Sequence, residues 1–236
     1  MLTNSYMPVS TGIFKPEAIE FIKNKFNSDH NVLDIGAGCG TYSQLLKSHL
    51  PRMDAIEIFE PYVEAYNLKE QYNNLYVKDA VDFQFEFYNL IIVGDVLEHI
   101  DESRGIEFIK RIYNKCDDLV VSVPFHAPQG EHYGNIYETH LQAELSHAAF
   151  MEKYNGFRPL CVRYDFGVYI KDNEINANLP IILEEETLGT IFPELQYTFK
   201  LDLQRCFPST KIITYKGTDS LECVDIIRES MKTVDY

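Results

Sequence analysis

A glycine-rich turn directly after a short apolar run constrains the fold of this chain more than any other feature. The run Val32–Ile35 is predicted to be a buried strand, and Gly36, Gly38 and Gly40 follow it at alternate positions. Because glycine lacks a Cβ, the backbone of such a turn can approach a ligand closely. A helix predicted over Thr41–Leu50 would point its free N–H groups toward the same place. The sequence therefore predicts a binding turn at the tip of a strand.

Short apolar runs alternate with helical patterns over most of the chain. This alternation favours a parallel sheet with helices on both faces, whose ligands bind at the carboxyl ends of the strands. We therefore predict an α/β, Rossmann-like doubly wound fold with a seven-stranded sheet, mostly parallel and with an antiparallel last strand. Beyond the strand before the glycine turn, strands are predicted over residues 53–58, 75–80, 89–95 and 119–124 and two within 155–171, and helices over 16–26, 41–50, 63–71 and 103–115.

Acidic residues close three of these strands at the edge of the sheet where the glycine turn is predicted. Glu57 lies about twenty residues past the glycines, where doubly wound folds place the carboxylate that accepts both hydroxyls of a ribose. Glu60 competes for this role, but Pro61 suits the first turn of the next helix and puts Glu60 at its cap. Asp79 and Asp95 end the third and fourth predicted strands. The sequence thus predicts a nucleoside-binding crevice lined by carboxylates.

Together these motifs resemble those of the class I S-adenosylmethionine-dependent methyltransferases over about residues 30 to 170. The turn is similar to the first motif of that family, and its spacing differs from the dinucleotide fingerprint G-x-G-x-x-G/A. The resemblance implies that S-adenosylmethionine lies across the glycine turn, with Asp34 at its methionine end, Glu57 at its ribose and Asp79 at its adenine. The cofactor-binding residues expected on this basis are Asp34, Gly36, Gly38, Gly40, Glu57, Asp79 and Ala80.

Acids and histidines are dense in two segments after the fourth predicted strand. Asp95, Glu98 and His99 follow that strand directly, and His140 lies with Glu138 in a long loop after the fifth strand. A long loop at this edge is usually functional, because ordering it costs backbone entropy. Glu138 could orient the imidazole of His140 as a hydrogen-bond partner. Residue types of this kind can bind a metal ion or move a proton.

The pattern Asp-x-x-Glu-His with a later His resembles a subset of the class I methyltransferases. The subset includes enzymes similar to the ubiquinone-pathway O-methyltransferases, which need no metal. It also includes the small-RNA 3′-end 2′-O-methyltransferases, in which Glu-x-x-Glu-His and a later His bind a divalent metal. The resemblance to this RNA branch implies that Glu98, His99 and His140 are metal ligands. Asp95 replaces the first Glu of that pattern, so it could contact the cofactor or the substrate instead.

A divalent metal at these residues would suit methylation of a hydroxyl oxygen. A sulfonium methyl donor is already activated, so the protein has to align the hydroxyl and help it lose its proton, which a metal does as a Lewis acid. Carboxylate and imidazole ligands suit Mn, Fe, Co, Ni or Zn. Without a metal, His99 or His140 could act as a general base near neutral pH. The candidate catalytic residues are therefore Asp95, His99 and His140.

Net charge, the length of apolar runs and the spacing of cysteines narrow the classes of molecule that this protein could bind and the compartment expected for it. The net charge of −15, with no basic run, argues against nucleic acid as a substrate, because lysine and arginine drive phosphate binding. No apolar run approaches the ~18–20 residues that a membrane-spanning helix needs, so we expect no membrane partner. The five scattered cysteines lack a CxxC pair, and the N-terminus lacks a secretory pattern. We expect reduced thiols and a cytoplasmic protein.

We expect residues 1–172 to form the methyltransferase domain with its N-terminal helix, and residues 173–236 to form a small C-terminal αβα appendage packed on it. The appendage could cover the acceptor pocket or form the face of a homodimer. We expect O-methylation of a small polar metabolite or of a sugar-linked or nucleotide-linked acceptor. Three alternatives stay open: a metal-dependent RNA-end 2′-O-methyltransferase, an N-methyltransferase and a non-catalytic S-adenosylmethionine-binding module. The appendage is predicted as a helix over 195–206, a strand over 211–215 and a helix over 220–232.

Overall fold

The structure is a computed structural model that describes residues 11–132, 134–184, 193–215 and 220–232. Within these ranges the chain forms strands that all belong to one sheet, with helices between them. The strands are β1 (Asn31–Ile35), β2 (Arg52–Glu57), β3 (Leu75–Val77), β4 (Tyr88–Gly94), β5 (Cys116–Pro124), β6 (Phe157–Arg163), β7 (Phe166–Lys171), β8 (Ile181–Glu184) and β9 (Ile212–Tyr215). The helices are α1 (Lys15–Lys25), α2 (Thr41–Leu46), α3 (Glu60–Ala65), α4 (Leu68–Gln71), α5 (Glu102–Tyr113), α6 (His147–Lys153), α7 (Pro193–Cys206) and α8 (Ser220–Met231).

The sheet has the strand order β3-β2-β1-β4-β5-β7-β6-β8-β9. Strand β7 runs antiparallel to both of its neighbours, β5 and β6, and the other pairings are parallel. The predicted α/β doubly wound fold is thereby confirmed, including the antiparallel strand that ends the predicted set of seven. The carboxyl ends of the first five strands lie at one edge of the sheet, where the ligands of such folds bind.

The C-terminal part of the chain adds two strands to this sheet. Helix α7, strand β9 and helix α8 match the predicted helix, strand and helix closely. Strand β8 was not predicted, because three apolar residues and a glutamate do not distinguish a strand from other buried segments. It pairs in parallel with β6, and β9 pairs with β8, so the sheet continues past residue 172. The domain boundary at that residue stays a prediction.

The central strands are buried on both faces, as parallel strands between two helical layers must be. In β4, Leu90 and Ile92 pack into the core on one face, while Ile91 and Val93 pack into the core on the other. This follows from the alternation of side chains along a strand. Among the described residues, no helix is both long and apolar enough to span a bilayer.

One predicted helix is wrong, because the structure has two short helices in its place. The sequence predicts a single helix over 63–71, but Asn67 has φ 51°, in the left-handed region, and separates α3 from α4. Asparagine tolerates this conformation better than most residues, because its short polar side chain can bond locally. The break leaves α3 as a separate short helix after the end of β2.

Glu17 of α1 is an unusual buried acid outside that edge. Its side chain is 1% exposed, and neither carboxylate oxygen has a hydrogen-bond partner among the described residues. Burial raises the pKa of Glu17 to about 7, because the ionised form loses its hydration, and the nearby charge of Glu184 adds to the rise. The carboxyl group is therefore proton-bound in the folded chain over a pH range in which the unfolded chain has released that proton.

Replacing Glu17 with methionine should change how the free energy of unfolding depends on pH. The folded pKa lies above the ordinary value of 4.5, so Glu17 lowers the stability of the native chain as pH rises from about 4.5 to about 7. We expect Glu17→Met to remove this decline and to raise the unfolding free energy at pH 8 by up to about 3 kcal/mol. Urea unfolding at pH 5 and pH 8 measures the difference.

A carboxylate on the same helix provides the matched control for this prediction. Glu20 is bonded to Arg228, 2.6 Å from Glu20 Oε1 to Arg228 Nε, and hydrogen bonds from that side chain and from Asn24 lower the pKa of Glu20 despite some burial. Glu20→Met should leave the stability at pH 8 unchanged or lower. Equal pH dependence in the native chain and Glu17→Met would contradict the assignment of a raised pKa to Glu17.

Candidate functional site

A cavity of about 720 Å³ lies at the carboxyl ends of β1, β2, β4 and β5. Its volume falls in the range of small-molecule sites, which is about 300–1,000 Å³. Its walls include residues of the glycine turn, of the segment after β3, of the segment before α1 and of the loop between β5 and α6. We call residues 125–146, apart from residue 133, the β5–α6 loop.

The glycine turn forms one wall of the cavity with its backbone. Gly36, Gly38 and Gly40 have φ values of 75°, 54° and 82°, all in the region that favours glycine. A Cβ added at Gly36 would lie 2.3 Å from Val96 Cγ2. Gly36 and Gly38 line the cavity, while Gly40 lies behind it as the residue before α2 and packs against Gln71. Two of the three predicted glycines therefore reach the cavity wall.

Glu57 lines the cavity beside the turn, at the end of β2. Its Oε2 accepts a hydrogen bond from the Gly38 N–H at 2.8 Å, and its Oε1 accepts one from the Phe59 N–H at 2.8 Å. Burial raises the pKa of Glu57, and these two backbone bonds oppose the rise. Glu60 lies exposed in the first turn of α3 and is not part of the lining. The structure thus places Glu57, and not Glu60, beside the turn.

The acid in the segment after β3 lines the cavity, whereas the acid in β1 lies outside the lining. Asp79 and Ala80 line the cavity, and Asp79 holds the following turn by accepting the Val81 N–H at 2.9 Å. Asp34 is buried inside β1, outside the lining, and its Oδ2 accepts the Tyr72 hydroxyl at 2.6 Å. Burial raises the pKa of Asp34 to about 7. The structure therefore brings Asp79 and Ala80 to the cavity and leaves Asp34 behind the turn.

Asp95 holds two walls of the cavity together directly after β4. Its Oδ1 accepts the Ser122 hydroxyl and its Oδ2 accepts the Thr11 N–H, both at 2.8 Å. Its φ of 56° lies in the left-handed region, which costs an aspartate backbone energy and is often found at functional sites. Thr11 and Ile13 line the cavity as well, so Asp95 ties the segment before α1 across the strand ends.

Glu98, His99 and His140 form a cluster in the cavity wall. One ligand atom from each lies within 4.8 Å of the others. His99 Nδ1 donates to the Thr139 carbonyl at 3.3 Å, and His140 Nδ1 donates to the Ala127 carbonyl, so each imidazole keeps its Nε2 lone pair. Glu98 is 2% exposed, and its Oε2 has no hydrogen-bond partner in the described part of the chain.

The surroundings of Glu98 and His99 disfavour the charged form of each side chain. Burial raises the pKa of Glu98 well above its usual range, and the neighbouring Asp95 adds to this. Burial, together with the neighbouring His140, lowers the pKa of His99 to about 4. A partnerless carboxylate oxygen with two imidazole nitrogens is the donor set of a divalent transition metal, and carbonyl groups that fix the imidazole tautomers are usual around such ions. The three residues present therefore fit a metal ion.

The sequence interpretation missed the residues that hold the β5–α6 loop against α3. The Tyr62 hydroxyl donates to Glu138 Oε1 at 3.0 Å, and the Asn135 amide donates to the Tyr62 oxygen at 3.2 Å. The Gln129 amide donates to the Glu138 carbonyl at 2.7 Å. The carboxylate of Glu138 thus holds Tyr62, and its suggested role in orienting His140 is wrong, because a backbone carbonyl takes that place. The contacts of Tyr62 join segments that are distant in the sequence, which residue spacing does not encode.

Comparisons with known proteins were made for the whole chain. A family model described as "Methyltransferase domain" matches residues 14–158, more than half of the chain. None of the curated protein sequences compared with this chain matches it.

Several solved structures are similar to the chain at low identity. The N-methyltransferase NodS from Bradyrhizobium japonicum WM9 is 16% identical, with a TM-score of 0.49 over 70% of this chain and 99% of that one. Magnesium protoporphyrin IX methyltransferase (ChlM) from Synechocystis PCC 6803 with bound SAM is 16% identical, with a TM-score of 0.48 over 71% and 85%. The sugar N-methyltransferase KedS8 from Streptoalloteichus sp ATCC 53650 is 13% identical, with a TM-score of 0.42 over 56% and 61%.

Substituting Gly36 with alanine should destabilise the fold and narrow the cavity. Alanine at φ 75° is strained, and its Cβ would collide with Val96. We expect the free energy of unfolding to fall by about 1–3 kcal/mol from the backbone strain alone. The double variant Gly36→Ala/Val96→Ala should recover the part due to the collision. Urea denaturation of both variants separates the two contributions.

Gly130 in the β5–α6 loop is the control for that substitution. A Cβ there would meet no atom within 4 Å. Gly130→Ala should therefore leave the unfolding free energy within about 0.5 kcal/mol of the native value. An equally small change in Gly36→Ala would contradict the described geometry of the turn.

Proposed function

Since this chain belongs to the methyltransferase family whose model matches residues 14–158, we propose that it transfers a methyl group from S-adenosylmethionine to the oxygen of a small acceptor. One observation carries the proposal: the glycine turn and Glu57 share a single cavity with Glu98, His99 and His140. The turn and Glu57 form a half suited to a nucleoside, and the cluster forms a half suited to activating a hydroxyl. A cavity of this volume suits small molecules.

The cofactor half would bind S-adenosylmethionine through backbone and carboxylate groups. Each oxygen of Glu57 accepts one backbone hydrogen bond and keeps a second acceptor position, so the carboxylate can also accept two ribose hydroxyls. Asp79 and Ala80 would contact the adenine at the far end of the same wall. Gly36 and Gly38 would let the methionine part pass close to the backbone. Asp34 and Gly40 would shape the turn from behind.

The acceptor half would position a hydroxyl in line with the methyl group. The cofactor supplies an electrophilic methyl on a sulfonium, so the transfer is a direct displacement in which alignment accounts for most of the acceleration. Without a bound metal, the Nε2 atom of His99 or His140 would accept the hydroxyl proton, because the Nδ1 atoms already donate to carbonyl groups. Asp95 would fix the wall between the two halves through Thr11 and Ser122.

In the alternative arrangement, Glu98, His99 and His140 would hold a divalent metal of the Mn, Fe, Co, Ni or Zn type. Such an ion, when bound, lowers the pKa of a coordinated hydroxyl and fixes its position. Glu98 Oε2, which has no hydrogen-bond partner among the described residues, supports this part of the proposal, because a buried carboxylate oxygen is costly unless a hydrogen bond, a cation or a proton satisfies it.

Removing the carboxylate of Glu57 should weaken the binding of S-adenosylhomocysteine. Glu57→Gln keeps the side-chain shape but replaces charge-assisted bonds to the ribose hydroxyls with weaker ones, so we expect a loss of roughly tenfold or more. Isothermal titration calorimetry measures the affinity, and Glu60→Gln, which alters an exposed acid three residues away, should retain it. Equal affinities for native and Glu57→Gln protein would exclude Glu57 from the ribose site. No binding to the native chain would overturn the proposed function.

The metal component of the proposal has its own test in Co²⁺ binding. Protein freed of metal by chelation should bind one Co²⁺ per chain with a visible d–d spectrum, and Mg²⁺ should compete poorly with it. His140→Asn should weaken the binding at least about tenfold, because a ligand is lost. His126→Asn is the matched control, since His126 lies in the same loop outside the cluster. Co²⁺ binding that is equal in both variants would contradict the assigned ligands.

A further inference from the structure

Three apolar side chains at the mouth of the cavity are left open to solvent. Ile136, Tyr137 and Leu141 of the β5–α6 loop are 63%, 44% and 59% exposed, and all three line the cavity. We call them the apolar rim. Single exposed apolar residues are ordinary, but several that line one cavity are typical of a ligand-binding surface.

Hydrogen bonds hold the apolar rim in place beside the metal-ligating cluster. The Leu141 N–H donates to the Glu98 carbonyl at 2.7 Å, and Leu141 follows His140 in the chain. The buried Asn135 accepts the Tyr137 N–H on its side-chain oxygen at 3.0 Å. The exposure of the rim is therefore a property of an anchored loop. A compound with its hydroxyl at the cluster would extend past these side chains.

Among the described lining residues, the half of the cavity around the cluster has no lysine or arginine side chain to receive an anionic group. Lys78 and Arg104 are the lysine and arginine among the described lining residues, and they flank Asp79 at the far end, with Arg104 Nη2 3.3 Å from Asp79 Oδ2. The chain has no lysine or arginine between Lys115 and Lys153, a range that contains the whole β5–α6 loop. A phosphate or carboxylate placed there would lose hydration without gaining a bond to a lysine or arginine side chain.

Carboxylates add a second reason against an anionic acceptor. Asp95 and Glu138 line this half of the cavity, and their hydrogen-bond donors are backbone N–H, hydroxyl or amide groups. The electrostatic potential that these groups create opposes negative charge on a ligand and leaves a neutral ligand unaffected.

We propose that the methyl acceptor is an uncharged hydroxyl compound with an apolar portion, and that Ile136, Tyr137 and Leu141 bind that portion. This inference rests on the proposed function, and it selects among the acceptors that the sequence allowed. Nucleotide-linked and phosphorylated acceptors are excluded, and a glycoside or alcohol with a hydrocarbon or aromatic substituent is favoured. Contact with the rim would remove apolar surface of both ligand and protein from water.

A matched set of glucose derivatives tests the acceptor class. Octyl β-glucoside below its micelle concentration carries an apolar tail, methyl β-glucoside lacks the tail, and glucose 6-phosphate adds an anionic group. Binding to the complex with S-adenosylhomocysteine is measured by calorimetry, and methyl transfer by release of label from S-adenosylmethionine. We expect the octyl compound to bind at least about tenfold more tightly than the methyl compound, and the phosphate not to bind.

Substitutions in the apolar rim test whether the rim causes the preference for octyl β-glucoside over methyl β-glucoside. Ile136→Ser/Leu141→Ser should bring the octyl and methyl compounds to within about threefold of each other. Ile136→Lys should allow glucose 6-phosphate to bind. The matched control is Phe87→Ser, since Phe87 is 54% exposed and precedes β4, at the opposite edge of the sheet. The control should keep the native preference.

The outcomes separate this inference from the proposed function. If S-adenosylhomocysteine binds but the octyl compound does not, or the phosphate binds as well as the octyl compound, the acceptor class is wrong and the proposed function stands. A preference that survives in Ile136→Ser/Leu141→Ser excludes the rim as its source. A rim variant with native ligand preference but a changed mass in sedimentation would make the rim a contact between proteins instead. Failure of S-adenosylhomocysteine to bind would overturn the proposed function itself.

Discussion

The hydrogen bond from the Gly38 N–H to Glu57 is the interaction on which the site depends most. It joins the turn after β1 to the end of β2, and the Phe59 N–H fixes the other oxygen of the same carboxylate. A buried carboxylate is stable only with such partners, so the glycine turn and Glu57 hold each other in place. The open backbone at Gly36 then becomes a fixed wall, since a side chain there would collide with Val96.

Asp95 performs a comparable task at the centre of the sheet edge. Its two oxygens connect Ser122 on β5 with Thr11 before α1, so the segment that enters the fold crosses the tips of the strands. The left-handed backbone at Asp95 directs the chain away from the sheet toward Glu98 and His99. The half of the cavity assigned to the cofactor and the half assigned to the acceptor are therefore held in register by one side chain, which is what an in-line displacement requires.

The sequence predicts those site residues whose positions follow from the backbone of the sheet. Glu57 follows from its place at a strand end, because parallel strands bring their carboxyl ends together whatever the loops do. Asp34 shows the limit of that argument: it lies one residue before the end of β1, and its side chain points into the packed face, toward Tyr72. Tyr62 was beyond prediction, since its bond to Glu138 joins segments far apart in the chain. Strand β8 was missed for a different reason, its short length.

The charge distribution in the cavity links the two proposals. Under the proposed function, the cofactor enters as S-adenosylmethionine, a sulfonium cation, and leaves as S-adenosylhomocysteine, whose sulfur is uncharged. Carboxylates around the reacting atoms therefore favour binding of the reactant cofactor. The same carboxylates disfavour an anionic acceptor and have no effect on a neutral one. With no lysine or arginine side chain in this half of the described cavity, the affinity for the acceptor has to come from the Glu98–His140 cluster and from apolar contact. The exposed rim beside that cluster is the surface in this part of the described chain that can supply the second contribution.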